Sequence, residues 1–434
     1  MIAAPASGSG KTTLTMGLVR ALKNQGYKVS CLKTGPDYID TAFLKTASGN
    51  DAGNLDLYLQ GEDGVKQAFS LAEGDLCLVE SAMGYFDGIY NTYRASSYEI
   101  SNLLGINTVL VYTPRGEMFS AVPKIKGMAD FESSKINAVI LNQVSAHYHQ
   151  LLKEQIEICT GLPVLGYLPA LEDVNLKSRH LGLVQSLEVE DLDAKIEDAA
   201  RAVSKTINLE ALTGCMSEVK GAPFPSFSQT GLRVAVARDR AFSFYYRENL
   251  KLLEDSCQVR YFSPLHDEKL PPCDLLYLGG GYPEVFRAEL TANSNMLKQI
   301  KTFAENGGCI YAECGGMLYL NQNFEGSPMC GVFQGEGKLT GSLQRFGYIN
   351  LTLLEDCMLG NKGDILTAHE FHKSVCTLSG NEVFEISRAM GKAGWKCGYR
   401  YKNVLAAYPH INFLGNLKAF NALLDYVQKN RQQQ

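Results

Sequence analysis

Short apolar runs recur along the chain, each followed by a polar turn and then by apolar positions at helical spacing. That alternation is the signature of a parallel sheet with helices packed on its faces. It predicts strands at Met1–Ala4, Lys28–Leu32, Leu76–Glu80, Thr108–Tyr112, Ala138–Leu141 and Val164–Pro169. Leu14, Leu18, Ala21 and Leu22 mark the apolar face of the first helix, and residues 184–208 read as another helix. Residues 213–230 then gather Gly214, Gly221, Pro223, Pro225 and several serines, a linker composition.

Beyond this linker the alternation starts afresh. Strands are expected at Leu232–Ala237, Val259–Phe262, Asp274–Leu278, Gly308–Tyr311 and Val404–Pro409, with helices over Phe244–Leu253 and residues 293–305. The pattern therefore predicts two α/β domains, residues 1–212 and 231–434. A length of 434 residues, more than one usual core, agrees with two. Met1 leads almost directly into the first strand, which points to a start upstream.

Composition narrows the function classes. A formal net charge of −5 argues against a general nucleic-acid binder. Twelve cysteines are scattered without a C-x-x-C pair or a signal-peptide pattern, so reduced thiols in the cytoplasm are expected. No apolar run reaches the length of a membrane span.

The first chemistry lies in Pro5-Ala6-Ser7-Gly8-Ser9-Gly10-Lys11-Thr12-Thr13, between a strand and a helix. Strand, glycine-rich loop, Gly-Lys-Thr and helix form the context of a phosphate-binding loop. Loop N–H groups would hold phosphate oxygens, Lys11 would neutralise their charge, and the Thr12 hydroxyl would bind magnesium. Pro5 stands where the usual pattern has its first glycine.

The second strand ends in Lys33-Thr34-Gly35-Pro36-Asp37-Tyr38-Ile39-Asp40, a lysine and two carboxylates where ligands of open parallel sheets gather. Gly-Pro-Asp is also simply a turn. Glu80 closes another strand, as expected of a direct or indirect partner of the magnesium, with the cap of the next segment as the alternative. Asn142 could read an adenine edge or cap a helix. His147 and His149 read as solvated. Arg179-His180-Leu181-Gly182-Leu183 stands out without an obvious chemistry.

In the second half, Ala312-Glu313-Cys314-Gly315-Gly316 sits between a strand and an amphipathic stretch, like a nucleophile elbow. The helix start is expected to lower the pKa of the Cys314 thiol. Leu278-Gly279-Gly280-Gly281-Tyr282-Pro283-Glu284 follows another strand end and offers oxyanion donors, the Gly281 or Tyr282 N–H together with that of Gly315. His266, His369, His372 and His410 are the candidate bases, of which His410, just past the last strand, fits best. Two histidines in His369-Glu370-Phe371-His372, with no other ligand cluster, make a poor metal site.

These motifs, together with Val79-Glu80-Ser81-Ala82-Met83-Gly84 and Phe242-Ser243-Phe244-Tyr245-Tyr246, occur in an order that resembles the cobyrinate a,c-diamide synthase family, glutamine-dependent amidoligases of corrinoid biosynthesis. The resemblance runs through nearly the whole chain. It implies an N-terminal ATP-binding domain like that of dethiobiotin synthetase and a C-terminal, flavodoxin-like class I glutamine amidotransferase domain. It further implies ATP and Mg2+ as cofactors, glutamine and a tetrapyrrole carboxylate as substrates, and no membrane or nucleic-acid partner. A homodimer is one candidate assembly.

The resemblance implies Lys11 and Thr12 in the phosphate loop and Asp37 and Glu80 on magnesium-nucleotide and substrate. Joined to the reading of the residues above, it leads to the expectation that Gly8, Gly10, Lys11, Thr12, Thr13 and Asn142 serve the nucleotide, Thr12, Asp37 and Glu80 the metal, and Lys33, Asp37, Tyr38 and Asp40 the substrate. Cys314 is the nucleophile, His410 its base, and Gly281 and Gly315 the oxyanion donors. The chain departs from the family at His410-Ile411-Asn412-Phe413, where a second histidine and phenylalanine usually follow, and at Ser81-Ala82, where a glycine commonly follows the acid. No acid third member of a catalytic triad is evident. Nickel sirohydrochlorin and hydrogenobyrinate fit the same motifs as cobyrinate, and a regulatory P-loop ATPase with an inactive amidotransferase domain is the reading from another class.

Overall fold

A computed structural model of the protein describes residues 1–171 and 191–431. The chain divides into two compact units, Met1–Leu57 with Gly61–Phe224, and Tyr58–Gln60 with Pro225–Gln434.

The first unit is built on seven parallel strands in the spatial order Gly53–Leu55, Val29–Thr34, Leu76–Glu80, Ile2–Ala3, Thr108–Tyr112, Ile136–Asn142 and Val164–Leu168. Continuous apolar runs suit strands buried on both faces. The helix Lys11–Asn24 buries Leu14, Leu18, Ala21 and Leu22 as its spacing requires, and Met16 and Val19 as well. Its second face packs with the helix Leu192–Thr206, which contributes Ile196, Ala200 and Val203 to the same core. Arg20 fixes that pairing through ion pairs to Asp193 at 2.7 Å and Glu197 at 2.5 Å. The Arg179–Leu183 stretch lies outside the described residues.

The second unit carries five parallel strands in the order Gln258–Phe262, Arg233–Ala237, Leu275–Leu278, Cys309–Glu313 and Val404–Ala407. In chain order this is second, first, third, fourth, fifth, the flavodoxin-like arrangement, in which ligands gather beyond the carboxyl ends of the strands.

Two of the features that the sequence did not predict shape this unit. Antiparallel strands at Gly394–Tyr401, Glu382–Arg388, Arg345–Leu353 and Ile365–His372 extend the sheet beyond its fifth parallel member, although in sequence they come between the fourth and the fifth. Their signal is an alternation of period two, as in Ile349, Leu351 and Leu353, which are buried while their neighbours are not. Phe244, expected to open a helix, instead ends the strand Phe242–Phe244, which pairs with Gly280–Gly281, and the helix follows at Arg247–Ser256. Long-range pairing overrides the local preference there.

Candidate functional site

The phosphate loop of the first unit runs from the strand Ile2–Ala3 to the helix beginning at Lys11. Gly8 and Gly10 take φ values of +71° and +75°, the left-handed region that favours glycine. A Cβ on Gly10 would stand 2.5 Å from Asn142 Nδ2, and that amide nitrogen donates to the Ser9 carbonyl at 2.8 Å. Asn142 thus braces the loop, whatever its oxygen meets when a nucleotide is bound. Thr13 lies in the first turn of the same helix.

Lys11 is buried and donates to the carbonyls of Met83 at 2.6 Å and Ala6 at 3.2 Å. Burial, and next the charge of Lys33, bring its pKa down to about 8, while Glu80, Asp40 and Asp87 oppose the drop. An ammonium group held at such a cost is ready for an anionic ligand. Asp87, to which no role was given from sequence, is placed here by Gly84, whose N–H donates to its carboxylate at 2.9 Å.

The carboxylates are sorted more finely than their spacing suggested. Thr12 Oγ1 lies 2.7 Å from Glu80 Oε1 and 3.4 Å from Asp40 Oδ2, and Lys33 Nζ bridges the same two acids at 2.8 and 2.6 Å. Burial alone would lower the Lys33 pKa, but the charges of Glu80, Asp40 and Asp37 outweigh it and hold the ammonium firmly protonated. Asp37, expected at the metal and the substrate, caps the helix Tyr38–Ser48, one oxygen accepting from the Ile39 and Asp40 N–H groups at 2.9 Å each. Burial and the neighbouring Asp40 raise its pKa to about 7. Tyr38 opens that helix. Asp40, expected only against substrate, is the acid that joins Thr12 and Glu80.

A further cavity of about 740 Å³ opens beside the loop, lined among others by Ser7, Phe86, Tyr112, Arg115, Lys124 and Phe131. His149, read as solvated, is half-buried and stacks on Tyr167 with ring centres 4.7 Å apart; burial lowers its pKa. His147 is exposed.

In the second unit, Cys314 follows the strand Cys309–Glu313 with φ +46° and ψ −102°, a conformation that costs a non-glycine residue energy and is typical of a nucleophile elbow. Its N–H donates to the Ala407 carbonyl at 2.7 Å. Register does the rest: Glu313 pairs with Ala407, so three residues on the chain delivers His410 to this strand end. The imidazole lies over Gly280, where a Cβ would meet His410 Cε1 at 2.4 Å. On the oxyanion side, a Cβ on Gly315 would stand 3.0 Å from the Gly281 nitrogen. Tyr282 N–H already donates to Ala241 O at 3.0 Å, which leaves Gly281 as the better of the two alternatives.

The other histidines have different work. His369 faces His410 across paired strands, and burial, then the His410 charge, lower its pKa to about 3. His372 stacks on Tyr408 at 3.7 Å and binds the Ser374 carbonyl through Nδ1; burial lowers its pKa to about 4. His266 is exposed.

One expectation is overturned. The Cys314 pKa is raised, first by burial and then by the charge of Glu284, with the Gly315 N–H as the opposing influence and Glu370 and Glu313 adding to the rise. A single turn of helix does not outweigh desolvation and three acids.

Glu313 was quoted from the sequence only as part of the turn. Its Oε2 stands 3.7 Å from His410 Nδ1, and both side chains are buried. The carboxylate accepts from Tyr311 at 2.7 Å, Tyr277 at 3.1 Å and the Ile411 N–H at 3.1 Å. No spacing rule reveals this acid, since 97 residues separate it from the histidine; a charged residue closing an otherwise apolar strand was the one available signal.

Comparison with known proteins matches a domain model to each half of the chain. Residues 1–184 match the model of the CobQ/CobB/MinD/ParA nucleotide binding domain, and residues 233–417 that of the CobB/CobQ-like glutamine amidotransferase domain. The chain is 41% identical over 98% of its length to the cobyrinate a,c-diamide synthase of Clostridium tetani, covering 99% of that protein. It is 43% identical to the Clostridium acetobutylicum enzyme of the same name, with 96% and 97% of the two chains covered. With a thiol elbow in one unit, a phosphate loop in the other and kinship of this extent across both, the chain belongs to the cobyrinate a,c-diamide synthase family.

Proposed function

We propose that the protein amidates the a and c acetate carboxylates of cobyrinate, using ammonia from glutamine and energy from ATP. What supports this most is the full-length match to enzymes of that name. Cys314 Sγ attacks the side-chain amide carbon of glutamine, and His410 takes the thiol proton and passes it to the departing nitrogen. The N–H groups of Gly281 and Gly315 receive the charge that develops on oxygen. Ammonia leaves, and water cleaves the thioester to glutamate. Glu313 acts as a positioning residue, holding the imidazole through its contact at Nδ1.

In the first unit, Lys11 and the loop N–H groups hold the polyphosphate of ATP while its γ-phosphoryl group passes to the substrate carboxylate. Ammonia then displaces phosphate from the acyl phosphate. Activation is needed because a carboxylate is a poor electrophile. Thr12, Asp40 and Glu80 offer the hard oxygen donors that suit Mg2+, and Glu80 Oε2 is buried with no hydrogen-bond partner among the described residues. When bound, the ion would neutralise charge on the β and γ phosphates.

The test is Cys314→Ala. Glutamine-supported amidation should vanish while amidation with added ammonium salt persists, read by mass spectrometry of products from cobyrinate and, separately, from nickel sirohydrochlorin. Loss of both nitrogen sources together would overturn the division of labour. Exclusive amidation of nickel sirohydrochlorin would overturn the substrate.

A further inference from the structure

Three buried carboxylates act electrostatically on the Cys314 thiol, those of Glu284, Glu370 and Glu313. Two are balanced. Glu313 accepts three hydrogen bonds and faces His410. Glu370 is 1% exposed and burial raises its pKa to about 7 as well, but Arg345 and Arg388 are cationic neighbours and the Trp395 indole lies beside it.

Glu284 is different. It is only 5% exposed, its Oε2 has no hydrogen-bond partner among the described residues, and the charge acting on it is another carboxylate, Glu325. Arg287 donates instead to the Glu284 backbone carbonyl at 3.0 Å and stands 4.0 Å from Glu325. Burial, then Glu325, raise the Glu284 pKa to about 7.

Its position is fixed by the oxyanion loop. Glu284 follows Gly281-Tyr282-Pro283, and a Cβ on Gly315 would meet Pro283 Cδ at 2.9 Å and the Gly281 nitrogen at 3.0 Å. The loop therefore rests on the Cys314 turn. A buried carboxylate without a cation calls for one, because an unpaired charge is expensive there. Glutamine brings a single cation, its α-ammonium, about 5 Å from the amide carbon across four single bonds.

We propose that Glu284 is the subsite for the α-ammonium group of glutamine. The proposal rests on the glutamine-hydrolysing reading of Cys314 and adds how that substrate is recognised. It also links recognition to reactivity: the ammonium cancels the carboxylate charge that most opposes ionisation of the thiol. The nucleophile is held protonated until its substrate arrives.

The test uses the full-length protein, with glutamine and with glutaramate, which is glutamine without its α-amino group. Wild-type protein should prefer glutamine by at least about 10³-fold in kcat/KM, as expected where a buried polar group would be left unpaired. Glu284→Gln should lose roughly a hundredfold on glutamine and less than threefold on glutaramate. Without substrate, iodoacetamide should alkylate Cys314 severalfold faster in this variant, followed by peptide mass spectrometry because the chain has eleven other cysteines.

A merely structural glutamate would slow both substrates alike and leave alkylation unchanged or slower; that result overturns the proposal. So does wild-type glutaramate hydrolysis within tenfold of glutamine, a comparison that needs no variant and decides the matter should Glu284→Gln fail to fold. Glutamine hydrolysis surviving in Cys314→Ala would instead overturn the parent reading, and this one with it.

Discussion

The phosphate site and the thiol site both stand at the carboxyl ends of parallel strands, yet their electrostatics are opposite. Around the loop, Lys33 is paired with Glu80 and Asp40, whereas the buried Lys11 donates to backbone carbonyls and is pushed down to about 8, a desolvated cation that an anionic ligand would relieve. Around Cys314, three acids surround a thiol whose ionisation they oppose, and His369 and His372 are held neutral. Each site is unfavourable in the sense that its expected ligand would relieve, a polyphosphate in one and an ammonium group in the other. Strand-end geometry supplies a place for a ligand, and the sign of the buried charge says which kind.

Breaking one side of this contrast should leave the other intact. The largest effect is expected for Lys11→Ala: ATP-dependent amidation should fall about 10³-fold, equivalent to roughly 4 kcal/mol, while glutamine hydrolysis stays within threefold. Steady-state assays of the two half-reactions check this, and a parallel fall would show that the sites are not separable. Glu313→Gln should lower kcat for glutamine hydrolysis by about 10- to 100-fold with KM within threefold, because the carboxylate orients the base and does not touch substrate. An equal loss in ammonia-supported amidation would point to damaged folding instead.

A subtler contrast is in stability. The folded-state pKa of Glu284 is raised from 4.5 to about 7, so between those values the native protein holds a proton that the unfolded chain releases. Stability contributed by that proton is present at low pH and lost as pH rises through 7. Glu325 and the Cys314 thiol interact with it electrostatically, but Glu284→Gln isolates its share. The variant should gain about 2 kcal/mol on wild type between pH 5 and pH 8, measured by urea unfolding at both values. The smallest effect belongs to the other unit: Asp37→Ala should cost about 1 kcal/mol through loss of the helix cap, and Asp37→Asn less than about 0.5. Equal costs would remove the cap as the explanation.

Local sequence was sufficient for local structure. The strand, glycines and Gly-Lys-Thr of residues 2–12 need only their own backbone preferences to make the loop, and Cys314 between a strand and Gly315-Gly316 makes its turn in the same way. The apolar runs likewise specified the parallel strands of the two main sheets apart from the short edge strand Gly53–Leu55, since a strand buried on both faces leaves a continuous signature. The antiparallel strands between Arg345 and Tyr401 were less legible, because their half-buried alternation is weaker and their register depends on partners far along the chain.

Which carboxylate does what was decided by tertiary structure alone. Asp37 and Asp40 are three residues apart and alike in sequence, but helix direction gives the cap to one and the contact with Thr12 to the other. Glu313 meets His410 only because the fourth and fifth parallel strands pair in one register. The direction of the thiol's pKa shift also lay beyond the sequence, which shows a helix start beside Cys314 but not the burial and distant acids that outweigh it. Backbone preferences act between neighbours, whereas desolvation and Coulomb forces depend on everything the fold brings near.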